Sequence, residues 1–568
     1  MSAVRCLTVF WLFTTLYLHD SKGQAQSTYA PFNTDYYHLL DRLEIRNRSG
    51  LPGFHSTQKP YSRASIAALL DSQRTNPPRL SPTDRFNIAY LRADNREGPN
   101  VGRDSLPETG EPTQSVSGRS FHRLSTDAFA RQWPGFAWHI NPVVGLGVGQ
   151  QADTTHLLTT ATIGLETRGS LTNHIGFYSF FTVNQARYPR YLQEYRQRYE
   201  LAGRGLVPGE GMARRNQPDQ TQFYAWRGYL TTTLLKQVGV QLGRDRLVWG
   251  NGYRSLLLSE TSAPYWFVKL NTWLGPFTYT NLYTLLRNTQ SAPPGLSRNP
   301  PKFMVMHHMS LNLGRHLNVG AFEAIVFSRD RLDLNYLNPI ILYRSVESSL
   351  GSVDNAFIGF DVKATWGGRW QAYSQVMLDE FVLRELLARK GSWTNKYALQ
   401  VGLKYVDAFG LANVDLQGEL NLARPFMYSH RSGQTNYVHY NQPLAHPLGS
   451  NFIEGLGIVR YQRKRLQGVG TFGLMLTGTD PPGLNYGGSI LTDYRTRFRP
   501  EGNSIGDLRK TIITYADLRV SYQVWPAGFL DVQYLSRLQS SEYAPNSYSS
   551  RLVSVGLRLN LAYRNWTF

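Results

Sequence analysis

The chain has 568 residues, 13% of them aromatic, with 50 Gly and a mean hydropathy of −0.36, and its 60 basic and 40 acidic residues give a net charge of +20. Its single cysteine, Cys6, excludes a disulfide framework, thiol catalysis and cysteine-ligated zinc. Beyond the N-terminus no run of eighteen apolar residues occurs, so no transmembrane helix is expected, and the scattered basic residues form no compact nucleic-acid-binding face.

Residues 1–25 read as a secretory signal. Arg5 is the positive flank, "CLTVFWLFTTLYL" the apolar stretch, and Ala25 ends a small-residue cleavage site. The apolar stretch is too short to span a bilayer core of roughly 30 Å as a helix. Export also argues against a nucleic-acid partner.

Residues 26–92 predict a small helical bundle. "NTDYYHLLDRLEI" starts at Asn33 and places Tyr36, Leu39, Leu40 and Leu43 on one stripe; a second helix starts at Ser62; a third has Ser81 as cap and Pro82 in its first turn. Residues 93–135, rich in Gly, Pro, Ser and charge, predict a linker.

From Phe136 the apolar period becomes two. Leu157, Ala161, Ile163 and Leu165 share one face against Thr160, Thr162, Glu166 and Arg168. Val414, Leu416, Leu420 and Leu422 alternate with Asp415, Gln417, Glu419 and Asn421, as Ala516, Leu518, Val520 and Tyr522 do with Asp517, Arg519, Ser521 and Gln523. This alternation suits a soluble sandwich as well as a membrane barrel. Loop lengths separate the two. Tight connections ("TNH" at 172, "GP" at 275, "GG" at 367, "FG" at 409, "PAG" at 526) alternate with long ones (188–222, 251–263, 288–302, 329–354, 427–450, 479–508), as in outer-membrane barrels.

The expected fold is therefore an all-β transmembrane barrel of about eighteen antiparallel strands over residues 136–568, with an N-terminal α-helical periplasmic bundle. An even strand number puts both termini on the tight-turn, periplasmic side. The last strand, "RLVSVGLRLNLAYRNW", carries Val553, Val555, Leu557, Leu559, Leu561 and Tyr563 on one face and would pair with the first. Trp566 and Phe568 fall on the other parity, so a bend is needed there. A terminal Phe resembles the signal that barrel-insertion machinery recognises.

Four stretches together resemble the Wzi-type capsule assembly proteins: "YYHLLDRLEI" with "YSRASIAALL"; "VQLGRDRLVWGNGYRSLLLSE"; "HHMSLNLGRHLNVGAFEAIVFSRD"; and "LNYLNPIILYRSVESSLGSVDNAFIGFDVKATW". The resemblance runs from about residue 33 to the C-terminus. It implies an eighteen-stranded barrel in the outer membrane of a Gram-negative bacterium, with a small periplasmic helical bundle. It implies a lectin-like, non-enzymatic protein that retains or organises capsular polysaccharide, its barrel blocked by inward loops. A gliding-motility or adhesion role, with motility-apparatus proteins as partners, is the competing implication.

Chemistry-bearing groups are few. His307 and His308 are strand neighbours that point to opposite faces and cannot chelate one metal, and Asp379 and Glu380 diverge in the same way, as expected of a solvated strand end. No catalytic residue, metal or cofactor is expected. The most concentrated polar stretch is Arg329, Asp330, Arg331, Asp333, Asn335, Tyr336, Asn338, Tyr343 and Arg344, where Arg could fork onto the carboxylates or phosphates of an anionic glycan and Tyr could lie on sugar rings. Internal Arg/Asp pairing of a folded-in loop is the alternative. Trp249, Asn251, Tyr253 and Arg254 are expected to line the same mouth, with Gly250 and Gly252 shaping a turn. If the lumen is a wet solute pore instead, Glu166, Arg168, Asp415, Glu419, Asp517 and Arg519 would line it.

Overall fold

The computed structural model describes residues 27–47, 53–75, 80–95, 115–116, 119–120, 126–152, 154–172, 174–200, 205–215, 220–234, 237–289, 301–338, 354–564 and 566. The expected signal segment and most of the expected linker, together with Tyr343, Arg344 and Phe568, lie outside them. Eighteen antiparallel strands close a barrel, matching the fold class read from the period-two pattern.

In chain order they are β1 (Phe136–Gln151), β2 (Leu158–Leu171), β3 (Ile175–Arg187), β4 (Gln220–Leu234), β5 (Val238–Asp245), β6 (Tyr265–Leu274), β7 (Phe277–Leu286), β8 (Lys302–Leu313) and β9 (Leu317–Ser328). The second half comprises β10 (Asn355–Trp366), β11 (Trp370–Leu378), β12 (Tyr397–Tyr405), β13 (Val414–Ala423), β14 (Phe452–Arg463), β15 (Leu466–Gly478), β16 (Lys510–Trp525), β17 (Gly528–Ser541) and β18 (Tyr548–Leu559). Each pairs with the next, and β18 pairs with β1 from Leu552↔Gln151 to Leu559↔Val144.

Burial follows parity. On β16, Asp517, Arg519, Ser521 and Gln523 are buried in the lumen while Leu518, Val520 and Tyr522 are exposed; Glu166, Arg168, Asp415 and Glu419 likewise point inward. Exposed rings, among them Trp133, Trp138, Trp273, Trp366, Tyr461, Tyr522 and Trp525, gather where the tight turns lie, the position of an interfacial girdle.

The three N-terminal helices form where expected: α1 (Thr34–Arg46), α2 (Arg63–Thr75) and α3 (Pro82–Asp94). Asn33 caps α1, and Ser81 with Asp84 forms a capping box at α3. They pack together through Tyr37, Leu40, Leu43, Ile66, Leu69 and Leu91 and close the turn end of the lumen.

Two features depart from expectation. The last wall strand stops at Leu559 instead of running to Trp566. Asn560 takes a left-handed φ of 50°, its N–H bonding the Ala527 carbonyl (2.9 Å) and its side chain the Pro142 carbonyl (2.9 Å), and the chain then turns into the lumen. Leu561 and Tyr563, expected on the outer face, lie inside. Trp566 packs edge-on against Tyr188 at the long-loop end, with ring centroids 5.4 Å apart, so the tail does not stay on the turn side with the helices. Gly145 on β1 makes this course possible, because a Cβ there would sit 2.7 Å from Leu561 Cδ2.

The second departure compensates the first. Phe129–Trp133, inside the segment expected to be a linker, is a strand paired with β1 from Phe129↔Ile140 to Trp133↔Phe136. It takes the hydrogen bonds of the β1 edge that β18 abandons, and Pro142, which has no N–H to leave unpaired, occupies the gap.

Candidate functional site

The lumen is filled from both ends, and charge holds the helical bundle in place. Arg42 on α1 reaches three carboxylates: Nε to Asp84 Oδ1 at 2.8 Å, Nη2 to Asp407 Oδ1 at 2.6 Å and Nη1 to Asp415 Oδ1 at 2.5 Å. Around it Lys404 meets Asp41 (2.6 Å), Arg519 meets Asp35 (2.6 Å), and Lys363 meets Glu44. Burial would raise the Asp35 carboxyl, but the Arg519 and Arg558 guanidiniums overcome it and hold the group below the usual carboxylate range. Asp41 and Asp84 are held low in the same way, by Lys404 and Arg42 respectively.

From the other end, residues 246–264 descend into the barrel. Val248–Trp249 forms a two-residue ribbon with Gln58–Lys59 of the segment between α1 and α2, and the Gly250 N–H donates to the Thr57 carbonyl at 2.7 Å. Gly250 adopts a φ of +147°, and a Cβ there would lie 2.4 Å from Gln375 Nε2, so only glycine fits the descent. Below the ribbon, Gln58 bonds His308, which bonds Asp361 (2.7 Å). Residues 424–451 fold over the descending segment: Tyr428 and Tyr437 donate to the carbonyls of Leu256 and Leu257.

These contacts relocate both sets of candidate residues. Trp249, Asn251, Tyr253 and Arg254 do not line the mouth. Trp249 and Asn251 are buried at the centre of the plug, the N–H groups of Tyr253 and Arg254 bond Glu419, and the Arg254 side chain pairs with Glu454 (3.1 Å). The stretch from Arg329 to Asn338 departs further. Tyr336 is buried against Val305, Ile325 and Phe327 on the outward face of β8 and β9, so this loop covers the outside of the wall. Arg329 pairs with Asp333 and with Asp354 (2.6 Å), and Tyr336 Oη donates to Asp354 (2.7 Å), while Asp330, Arg331, Asn335 and Asn338 remain exposed. Internal Arg/Asp pairing is thus the arrangement found, and the two stretches do not share a mouth.

Asp379 and Glu380 also differ from a solvated strand end. Asp379 is buried 2.9 Å from the fully buried Lys396 Nζ, which also lies 3.3 Å from Glu380, and burial lifts the Asp379 carboxyl to about 7. This pair anchors a surface that sequence reasoning missed, at the long-loop end. Lys396 Nζ sits 4.7 Å from the Tyr494 ring, Trp393 lies 4.7 Å from that ring, and the Arg497 guanidinium covers Trp393 at 4.2 Å. Beside them Tyr486 stacks on Phe498 (4.9 Å) under Arg499 (5.4 Å), and the Arg495 side chain is exposed. Lys396, Tyr486 and Tyr494 are buried and form its base, while Arg495 and Phe498 are exposed and Trp393, Arg497 and Arg499 half-buried, an outer layer able to meet both the anionic groups and the apolar faces of sugars. Tyr486, Tyr494, Arg495, Arg497, Phe498 and Arg499 come from one long connection, but Trp393 and Lys396 come from another, and it is their meeting that the sequence does not announce.

A cavity of about 240 Å³ follows the C-terminal tail through the lumen, reaching Tyr36 and Tyr90 of the bundle and Thr261 and Pro447 of the inward loops. That is below the roughly 300–1,000 Å³ usual for small-molecule sites. Arg227 pairs with Glu210 in it at 3.0 Å, and Arg564 of the tail bonds Asn184.

No protein-family model matches the sequence, and no curated protein matches it. Among solved structures it resembles Wzi of Escherichia coli, described as an outer-membrane protein involved in group 1 capsule assembly and a carbohydrate-binding β-barrel. The identity is 12% over 95% of this chain and 100% of Wzi, with a TM-score of 0.57. OprD of Pseudomonas aeruginosa aligns at 8% identity over 74% of this chain and 95% of its own, with a TM-score of 0.41. At this identity the likeness to Wzi shows the fold: a closed outer-membrane-type barrel with N-terminal helices.

Proposed function

We propose that this chain is a non-catalytic outer-membrane barrel that binds and helps retain capsular or other surface polysaccharide, anionic in character, at the cell surface. One observation carries the reading: at the long-loop end the exposed Arg495 and Phe498 and the half-buried Trp393, Arg497 and Arg499 lie over a buried base of Lys396, Tyr486 and Tyr494, and the deeper loops are tied to the N-terminal segment through the lumen. The carbohydrate binding stated for Wzi, a barrel of the same fold, supports it. The non-catalytic part is supported by Asp379 and His308, which are buried against Lys396 and Asp361 respectively. Deleting the protein from its source bacterium and imaging the capsule tests the proposal. Loss of attached polysaccharide is expected, and an unchanged capsule overturns it, leaving the motility or adhesion role as the alternative.

The cavity running beside the C-terminal tail favours a second reading, a gated solute pore. Planar-bilayer recording separates the two: the retention reading expects no conductance from the intact chain, whereas regular openings would favour the pore.

A further inference from the structure

The connection between β11 and β12 carries five large apolar side chains that the described residues leave partly or largely uncovered. Phe381, Val382, Leu383, Leu386 and Leu387 are all exposed, Leu383 to 60% and Leu387 to 72%, around the one-turn helix α4 (Leu383–Leu387). Isolated exposed apolar residues are ordinary; five within seven positions are not.

Their place on the wall identifies what covers them. β11 and β12 are nine residues each, shorter than every other wall strand except β5. From Trp370 at the turn end to Leu378, eight steps of about 3.3 Å along a strand tilted about 40° rise roughly 20 Å. The bonds from the Asp379 N–H to the Lys396 carbonyl (3.0 Å) and from the Lys396 N–H to the Glu380 carbonyl (2.8 Å) carry the hairpin to the rim of the apolar band of about 25 Å that such a barrel presents to lipid. The outward row of β11 and β12 runs through Trp370, Val376 and Leu378 and through Tyr397, Val401 and Tyr405, and Phe381–Leu387 follow in the chain directly beyond its outer end. Cations flank the apolar group: the Arg384 side chain is 89% exposed and lies 3.3 Å from Glu385, Lys390 is exposed 3.9 Å from Glu501, and Arg389 is exposed beside them.

We infer that the β11–β12 loop is a membrane foot. Its apolar side chains enter the outer leaflet and extend the lipid-facing belt, while Arg384, Arg389 and Lys390 hold the anionic phosphates of outer-leaflet lipid headgroups. The inference rests on the barrel and is independent of the glycan reading. An apolar knob bordered by basic residues is the arrangement that binds lipid interfaces.

The test uses the full chain in a Cys6→Ser background, labelled with one environment-sensitive fluorophore at Leu387→Cys and reconstituted in vesicles with brominated acyl chains. Leu518→Cys, on the exposed wall of β16, gives the lipid-contact standard, and Arg495→Cys, on the long-loop face, gives the solvent standard. The label at 387 is expected to be quenched at least half as strongly as that at 518. Quenching no greater than at 495 overturns the inference, including the case in which 387 is instead covered by a second copy and its emission shifts with protein density. For the headgroup part, Arg384→Gln/Arg389→Gln/Lys390→Gln is expected to halve quenching at 387 in phosphatidylglycerol-containing vesicles and leave it unchanged in phosphatidylcholine alone. Equal quenching with and without the three substitutions in both lipids overturns that part.

Discussion

Arg42 on α1 and Asp415 on β13 lie 373 residues apart in sequence and 2.5 Å apart in space, Nη1 to Oδ1. With Asp84 and Asp407 on the same guanidinium, one buried cation joins α1 to α3 and to the wall, alongside the Lys404–Asp41, Arg519–Asp35 and Lys363–Glu44 pairs. Removing a single partner from a buried charge group is strongly destabilising, by about 3–5 kcal/mol, because the others are left uncompensated. Arg42→Ala is expected to undock the bundle while the barrel stays folded. Limited proteolysis between α1 and α3 should accelerate by two orders of magnitude or more, with the folded-barrel mobility on unheated gels unchanged.

Acid should loosen the same contact. Asp35 and Asp41, which face Arg519 and Lys404 of the wall, are held below their ordinary value near 4 when docked, so their contribution is complete above that pH and is lost as the pH falls through the lower docked values. The bundle is expected to remain protected from protease between pH 8 and about 5 and to become sensitive below about pH 4. Proteolysis by an acid-active protease across that range measures it.

Gly145 and Leu561 should behave as a pair. Gly145→Val places a side chain where Leu561 Cδ2 already sits, and overpacking of this kind costs about 1–3 kcal/mol. The tail is expected to leave the lumen, read as faster carboxypeptidase digestion. Adding Leu561→Ala should restore part of the protection by making room.

On the long-loop face, Arg497→Ala and Trp393→Ala each remove a cation–aromatic contact worth about 1 kcal/mol. Each is expected to weaken binding of anionic capsular polysaccharide about fivefold, measured by surface retention of labelled glycan. Arg331→Ala, on the loop that lies against the outer wall, should leave that binding unchanged.

The wall was legible because its cause is local. One face of each strand meets lipid and the other a packed polar lumen, so Leu518 and Arg519 declare their sides in sequence. The helix starts at Asn33 and Ser81 were legible for the same reason, as capping is satisfied within one turn. Where the loops go was not. "WGNGYR" and "SRDRLDLNYL" look alike in composition, yet Trp249 descends to meet Gln58 while Tyr336 lies on the outside of β9. Those destinations depend on partners far along the chain. The break after Leu559 was hidden too, since the alternation continues through Tyr563 and only the left-handed turn at Asn560 diverts the backbone.

The five-residue ribbon Phe129–Trp133 has a consequence for how copies of this protein tolerate crowding. A long wall strand with unbonded amides would offer itself for strand addition by any neighbouring chain. Here the exposed rim is instead a five-residue ribbon with Arg131 at its middle, too short and too charged to template a foreign strand, so the barrel can hold its own tail inside without leaving its seam open to intermolecular pairing.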